Sequence, residues 1–102
     1  MKRGEIWWHE PAEEKRRPVL ILTRDEAIDG LNKLVTAPAT GTIRGISSEV
    51  RVGPEDGMPQ ESVISLDNTT LIRKALLTEP IATLDPAKMS EVCRALAYTT
   101  SC

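Results

Sequence analysis

Apolar and polar residues alternate through the first four-fifths of the chain, in short runs that are typical of β-strands. Glycines, prolines and acidic residues separate these runs, most densely at Gly53–Gly57. Because Pro38 has no amide hydrogen, we expect it at an edge, a bulge or a strand end. The pattern predicts strands at Glu5–His9, Pro18–Thr23, Leu34–Ala39, Ser48–Val52, Ser62–Leu66 and Pro80–Leu84.

Two segments depart from this alternation and predict helices. Asp25–Asp29 is compatible with one helical turn, which Gly30 ends. Near the C-terminus, Asp85 is a good N-cap and Pro86 suits the first helical position, so we expect a helix of about fourteen residues. Its predicted buried stripe follows the helical period and consists of Met89, Val92, Cys93, Leu96 and Ala97. Five or six short strands, a short helical insertion and a terminal helix predict a small, closed or nearly closed β-barrel.

Length and composition limit the class of protein. A chain of 102 residues fits one domain, residues 1–102. Phe is absent, so Val, Ile and Leu must fill the core. The formal net charge of -2 argues against a generally basic coat, although a local basic patch is compatible with it. No apolar run suits a signal peptide or membrane span, and the two cysteines lack metal-site spacing, so we expect a cytoplasmic protein that works without a metal.

A run of three cations, Lys15, Arg16 and Arg17, stands where a charged loop meets the second strand. Pro18 restricts Arg17 to extended geometry, so the strand fixes where its guanidinium group leaves the backbone. A guanidinium fork held in this way suits a phosphate, with two donors for two oxygens. A solvated charge run paired with the neighbouring glutamates explains the same residues, and from the pattern alone it is the more common case.

Three threonines form a second candidate. With strand periodicity Thr36, Thr40 and Thr42 fall on one side, next to Gly41, and a threonine hydroxyl can bind a phosphate or a ribose. The high β-propensity of threonine explains this pattern equally well.

His9 is the single histidine, and a lone histidine is more often a surface or packing residue than a catalyst. These residues alone predict a barrel with a candidate anion site and name no reaction.

Four segments in this order resemble the MazF/PemK family of toxin endoribonucleases: Arg3–Trp7, Arg17–Asp25, Val35–Arg44 and Ser62–Asn68. The likeness spans essentially the whole chain, and four motifs in register are more specific than any one of them. It implies an SH3-like barrel of the CcdB/Kid/MazF type that forms a homodimer. It also implies a type II toxin that cleaves single-stranded messenger, ribosomal or transfer RNA without a metal or other cofactor, and that an acidic MazE-like antitoxin silences.

The resemblance also assigns roles to residues. Arg17 matches the family's catalytic arginine and Thr40 its catalytic threonine. Contacts to RNA are expected from Lys15, Arg16, Thr42, Arg44 and Asn68. Arginine has a pKa above about 12 and is a poor general base at neutral pH. The candidates for a proton relay are therefore Glu13, Glu14 and His9.

The chain departs from the family pattern in places. Gly4-Glu5 stands where many relatives have Gly-Asp, the loop from Glu10 to Arg16 is short, and Asn68–Leu71 replaces a usual Gln-Ile-Arg-Thr. These departures bear on the RNA contacts and the cleaved sequence. Two other functions fit the same barrel. One is a gyrase poison of the CcdB kind, but that activity is associated with a C-terminal Trp-Gly-Ile, and this chain has Thr100–Cys102 there. The other is a non-catalytic barrel that only binds RNA or protein.

Overall fold

The computed structural model describes residues 1–102 and shows a mainly β protein with a terminal helix. Its strands are β1 (Glu5–His9), β2 (Arg17–Ile21), β3 (Lys33–Thr40), β4 (Glu49–Val52), β5 (Ser62–Ser65), β6 (Thr70–Arg73) and β7 (Leu77–Thr83). A short helix, α1 (Asp25–Ile28), follows β2, and α2 (Pro86–Thr100) follows β7. Neither helix is long and apolar enough to span a membrane. The predicted succession of strands, a short helical insertion and a terminal helix is confirmed.

The central strand of the sheet is β3, and all pairings are antiparallel. One edge of β3 pairs with β2, and the other edge pairs first with β6 and then with β5. The strand order is β4-β5-β3-β2-β1-β7, with β6 beside β3. Because the end strands β4 and β7 do not pair with each other, the sheet is not a closed ring. Of the two expected forms, the fully closed barrel does not occur.

Apolar side chains form two buried clusters on opposite faces of the sheet. The larger cluster includes Ile6 and Leu20 of the sheet and Val92 of α2. The smaller cluster includes Val19 and Leu34. The neighbours Val19 and Leu20 belong to different clusters because successive side chains of a strand point to opposite faces. The strands at the centre of the sheet are therefore packed on both sides.

Pro38 lies inside β3, opposite Val19 of β2. On the other edge of β3, the pairing with β6 ends at Thr36 and the pairing with β5 begins at Ala39. The proline stands in this gap between two partners, where an unpaired position already exists. A residue without an amide hydrogen is therefore tolerated in the middle of a long strand.

The structure adds one strand that the alternation pattern missed and lengthens another. No strand was predicted at Thr70–Arg73, which forms β6 against Lys33–Thr36. Strand β7 begins at Leu77, three residues before the predicted Pro80. A strand of four residues has too few alternations to stand out, and its formation depends on the partner strand.

The limits of α2 were predicted well, and its buried face was predicted in part, because Val92 belongs to the larger cluster and Met89 and Leu96 pack against it. The Asp85 side chain accepts a hydrogen bond from the backbone N–H of Lys88 (2.8 Å), as an N-cap does. Val92 and Ala95 are the buried residues of α2. The prediction that Cys93 and Ala97 lie in the core is wrong, because both are exposed. They lie about 100° and 140° around the helix axis from Val92, on the side away from Ala95.

Candidate active site

A cleft of about 240 Å³ opens on the face of the sheet that carries the smaller cluster. The four strands β1, β2, β3 and β6 contribute to it, together with the loop between β1 and β2 and Asn68 just before β6. The buried residues of the lining are Val19, Thr36 and Ile72, whereas Glu14, Lys15 and Arg17 are exposed. The lining residues are His9, Glu14, Lys15, Arg17, Val19, Thr36, Pro38, Asn68, Thr70 and Ile72.

Strand register explains why distant residues meet here. His9 of β1 is paired with Arg17 of β2, and Val19 of β2 is paired with Pro38 of β3. The β2–β3 pairing ends at Val19–Pro38, and its register continued by two residues aligns Arg17 with Thr40, the last residue of β3. Residues aligned in this way point to the same face of a sheet. We call His9, Arg17 and Thr40 the cross-strand row.

The guanidinium group at the centre of this row is available to a ligand. Arg17 is exposed, and the three ion pairs of the structure involve other residues. The backbone from which it extends is fixed, because Arg17 is the first residue of β2 and is paired with His9. An unpaired guanidinium fork that extends from a fixed strand is suited to binding a phosphate.

The imidazole of His9 lies half-buried beside this cation. Burial lowers its pKa from the ordinary value of 6.5, the negative charge of Glu14 opposes that shift, and the positive charge of Arg17 adds to it. Because the net direction is downward, His9 is uncharged at neutral pH. A neutral imidazole has one nitrogen that can accept a proton.

Thr40 is half-buried at the end of the row, just outside the cleft lining. Its Oγ1 accepts a hydrogen bond from the backbone N–H of Thr42 (3.2 Å). This bond fixes the oxygen and leaves the hydroxyl proton free for donation.

Two further residues that were expected to contact RNA lie in the exposed loop after Thr40. Thr42 enters the site only through its backbone N–H. Arg44 is exposed, and its backbone N–H donates to Glu49 Oε1 (3.0 Å), which turns the loop back toward β4. Neither side chain lines the cleft.

The charged loop between β1 and β2 divides its residues between two places. Lys15 and Glu14 line the cleft. Arg16 does not: its guanidinium carbon lies 4.0 Å from the ring centroid of Trp8. Glu13 is exposed and also lies outside the lining.

The opposite rim contains one expected residue and one that the sequence analysis did not select. Asn68 donates a hydrogen bond from Nδ2 to Ser65 Oγ (2.8 Å), which holds its amide at the cleft. Thr70 lines the cleft from β6, and its carbonyl accepts a hydrogen bond from the buried Thr36 Oγ1 (3.3 Å). The alternation of Thr70 and Ile72 on one face was the available signal, and it became interpretable only once β6 was known.

No group of three or more His, Cys, Asp or Glu side chains is arranged to hold a metal ion in this structure.

Comparisons with known proteins agree with this architecture. A family model described as a PemK-like, MazF-like toxin of type II toxin–antitoxin system matches residues 2–99. A protein of Mycobacterium tuberculosis named probable endoribonuclease MazF5 is 42% identical over 101 residues, which cover 98% of this chain and 93% of that protein.

Solved structures give the same result. The Mycobacterium tuberculosis toxin MazF-mt6 superposes with a TM-score of 0.88 at 34% identity, covering 95% of this chain and 96% of that chain. A mycobacterial endoribonuclease in complex with its cognate antitoxin superposes with a TM-score of 0.89 over 99% of this chain and 95% of that chain. At 24% identity, the second likeness shows the fold alone. The fold implied by the sequence resemblance is confirmed.

Proposed function

Because the chain belongs to the family of PemK-like, MazF-like toxins of type II toxin–antitoxin systems, we propose that it cleaves single-stranded RNA at short sequences. The names of its relatives support this proposal, since the protein that is 42% identical is called a probable endoribonuclease. The observation that carries it is the cleft in which Arg17, outside every ion pair of the structure, is paired with the neutral imidazole of His9. The β2–β3 register, continued beyond its last pair, aligns Thr40 with Arg17.

The reaction that suits this row is attack of a ribose 2′-hydroxyl on the adjacent phosphate. The 2′-oxygen forms a bond to phosphorus, the bond to the 5′-oxygen breaks, and the departing oxygen takes up a proton. The products are a 2′,3′-cyclic phosphate and a 5′-hydroxyl. Negative charge accumulates on the phosphate oxygens in between, so donors already aimed at that position lower the barrier.

In this proposal Arg17 and Thr40 are the catalytic residues that stabilise the charge. The guanidinium fork of Arg17 spans two phosphate oxygens, and the hydroxyl of Thr40 donates to one of them. The protein supplies positive charge from a side chain, so the step needs no metal or other cofactor.

Proton transfer falls to other residues. An arginine with a pKa above about 12 does not accept a proton at neutral pH. His9 is neutral there and is paired with Arg17, so it is our candidate acceptor for the 2′-hydroxyl proton. Glu14 lines the same cleft and could pass that proton to solvent, whereas Glu13 lies outside the lining.

The remaining contacts follow from charge and position. Lys15 and Asn68, on opposite rims, are proposed to bind the RNA on either side of the scissile phosphate. Thr42 and Arg44 are proposed to meet the strand where it leaves the cleft over the exposed loop. Single-stranded RNA suits this arrangement because its base edges are free for hydrogen bonding and stacking.

We also propose the setting in which the chain acts. Residues 1–102 form one toxin domain that works as a homodimer in the cytoplasm. An acidic MazE-like antitoxin, disordered before it binds, would cover the same cleft, since its carboxylates complement Lys15 and Arg17.

The test is cleavage of a long RNA of mixed sequence in the presence of EDTA, with every new end mapped. We expect discrete cuts with 2′,3′-cyclic phosphate ends that disappear in Arg17→Ala and in Thr40→Ala. Arg51→Gln is the matched control, because Arg51 is an exposed arginine of β4 outside the cleft.

Two results would overturn the proposal. Cuts that persist in Arg17→Ala would show that the row is not the catalytic centre. The absence of cuts from folded protein, on structured and unstructured RNA alike, would favour the gyrase poison or the binding barrel.

A further inference from the structure

The two consecutive arginines of the β1–β2 loop point to opposite faces of the sheet. Arg17 faces the cleft and is paired with His9. Arg16 lies with its guanidinium carbon 4.0 Å from the ring centroid of Trp8. This distance is well inside the range of about 6 Å over which a cation is attracted to an aromatic face.

Strand alternation explains the division. Trp8 is paired with Pro18 in the β1–β2 register, so the Trp8 ring lies on the face opposite to His9. Arg16 is two residues before Pro18 and therefore falls on the same face as that ring. The indole is half-buried, which holds one surface of the ring ready for the guanidinium group.

The loop is held at both ends, and between them its one backbone hydrogen bond runs from the Glu14 N–H to the Pro11 carbonyl (3.4 Å). At its start, the backbone N–H of Glu10 donates to the carbonyl of Leu76 (2.9 Å), and the Thr78 hydroxyl donates to the Glu10 carboxylate. At its end, the side chain of Arg16 rests on Trp8. The residues between include Glu14 and Lys15, which are exposed and form one rim of the cleft.

We propose that Trp8 and Arg16 are positioning residues: their stacking clamps the end of the loop and so holds Lys15 and Glu14 over the cleft. In this arrangement Arg16 acts through the loop and does not contact the RNA, although the sequence resemblance placed it among the RNA contacts. The inference rests on the proposed function for its substrate, but the clamp itself is a property of the free protein.

The size of the effect follows from the exposure of the pair. A cation–π contact at an exposed site shifts a two-state equilibrium by about two- to fivefold. Losing it should raise KM for RNA by about that factor, because the binding-competent loop is populated less often. The value of kcat should be unchanged, since no group that touches the phosphate is removed.

The first experiment measures KM and kcat for Trp8→Leu, Arg16→Gln and the double variant, using an RNA oligonucleotide that contains a mapped cut site. We expect each single variant to raise KM about two- to fivefold and the double variant to do no more, because one contact is lost in all three. Trp8→Phe keeps an aromatic face and should restore most of the loss.

Salt dependence separates a clamp from an RNA contact. A residue that binds a single-stranded phosphate contributes about 0.7 to the slope of log K against log salt. We expect Lys15→Gln to reduce the slope by about this amount, and Trp8→Leu and Arg16→Gln to leave it unchanged. A reduced slope in Arg16→Gln alone, or losses that multiply in the double variant, would show that Arg16 binds RNA and would overturn the inference.

Hydrogen exchange of the free protein decides the matter independently of any RNA. The amide of Glu14, which donates to the Pro11 carbonyl (3.4 Å), should exchange about two- to fivefold faster in Arg16→Gln and in Trp8→Leu, and unchanged exchange in both would remove the clamp. If the parent protein cuts no RNA, the proposed function fails while this comparison still stands. Should Trp8→Leu not fold, Arg16→Gln and Trp8→Phe carry the same comparison.

Discussion

Replacing Arg17 with lysine should separate catalysis from stability. The substitution keeps a positive charge at the first residue of β2 but replaces a planar fork with a single ammonium group. In the fold Arg17 is exposed and outside the three ion pairs, so its side chain stabilises nothing that lysine would lose. We therefore expect the free energy of unfolding to change by less than about 0.5 kcal/mol.

Activity should respond quite differently. Lysine can deliver one of the two parallel hydrogen bonds that we propose the fork of Arg17 makes to the phosphate. Losing one preorganised donor to a developing oxyanion costs about 2.7–4 kcal/mol, which corresponds to a fall of roughly 100- to 1,000-fold in kcat. The assay is single-turnover cleavage of an oligonucleotide with saturating protein, beside thermal unfolding of the same samples.

Arg51→Lys is the matched control, because it makes the same exchange at an exposed position of β4. It should leave both cleavage and unfolding unchanged. The reasoning fails if Arg17→Lys keeps more than about a tenth of the parent rate, because the fork would then not matter. It also fails if the unfolding midpoint falls by more than about 4 °C, since Arg17 would then have a structural role.

Three further predictions concern the fold around the site. Burial lowers the pKa of His9, so the unfolded chain binds a proton before the folded one does. The His9 contribution to the free energy of unfolding should therefore be constant above about pH 7.5 and fall as the pH drops below about 6.5. His9→Gln should flatten this part of the pH dependence measured by urea unfolding, and an unaltered curve would contradict burial as the cause. Leu20→Ala removes a fully buried side chain of the larger cluster and should lower the free energy of unfolding by about 3–5 kcal/mol in the same urea assay. A loss below about 1 kcal/mol would mean that neighbouring side chains move in to fill the cavity. Gly57→Ala should lower the free energy of unfolding by about 1–3 kcal/mol, because Gly57 has φ +95° and a new Cβ would lie 3.1 Å from the Cβ of Ala82. Gly45→Ala is the control, because Gly45 has φ +71° but open space around it, and it should cost less. Equal costs would contradict the contribution of Ala82.

The sequence predicted most strands because their alternation is a local property. Each run concentrates aromatic or β-branched residues within its own length: Glu5–His9 formed with the bounds expected, and the run predicted at Ser62–Leu66 formed over Ser62–Ser65. Strand β6 was missed because Thr70–Arg73 is short, and what stabilises it is Lys33–Thr36, more than thirty residues away. The rotation of α2 failed for a related reason: Cys93 and Ala95 are similarly small, and the sheet decides which of them is covered.

The site was only partly predictable for the same physical reason. The resemblance selected Arg17 and Thr40, but their alignment depends on the β2–β3 register, which no local pattern contains. Arg16 and Arg17 are chemically identical neighbours, and only the strand geometry sends one to Trp8 and the other to the cleft. Where the answer depended on which residues lie opposite each other, the sequence offered candidates without choosing among them.

The location of Arg17 on β2 has a consequence for how this toxin can be restrained. Strand β2 is hydrogen-bonded along both edges, to β1 and β3, and Val19–Ile21 are buried. Segments of this kind open only when the whole molecule unfolds, whereas termini and exposed loops fray at low cost. The β2 framework beneath the proposed site is therefore expected to persist when the termini and the exposed loops open. We expect restraint to come mainly from a molecule that occupies the cleft, so that degrading that molecule releases a protein that is already folded.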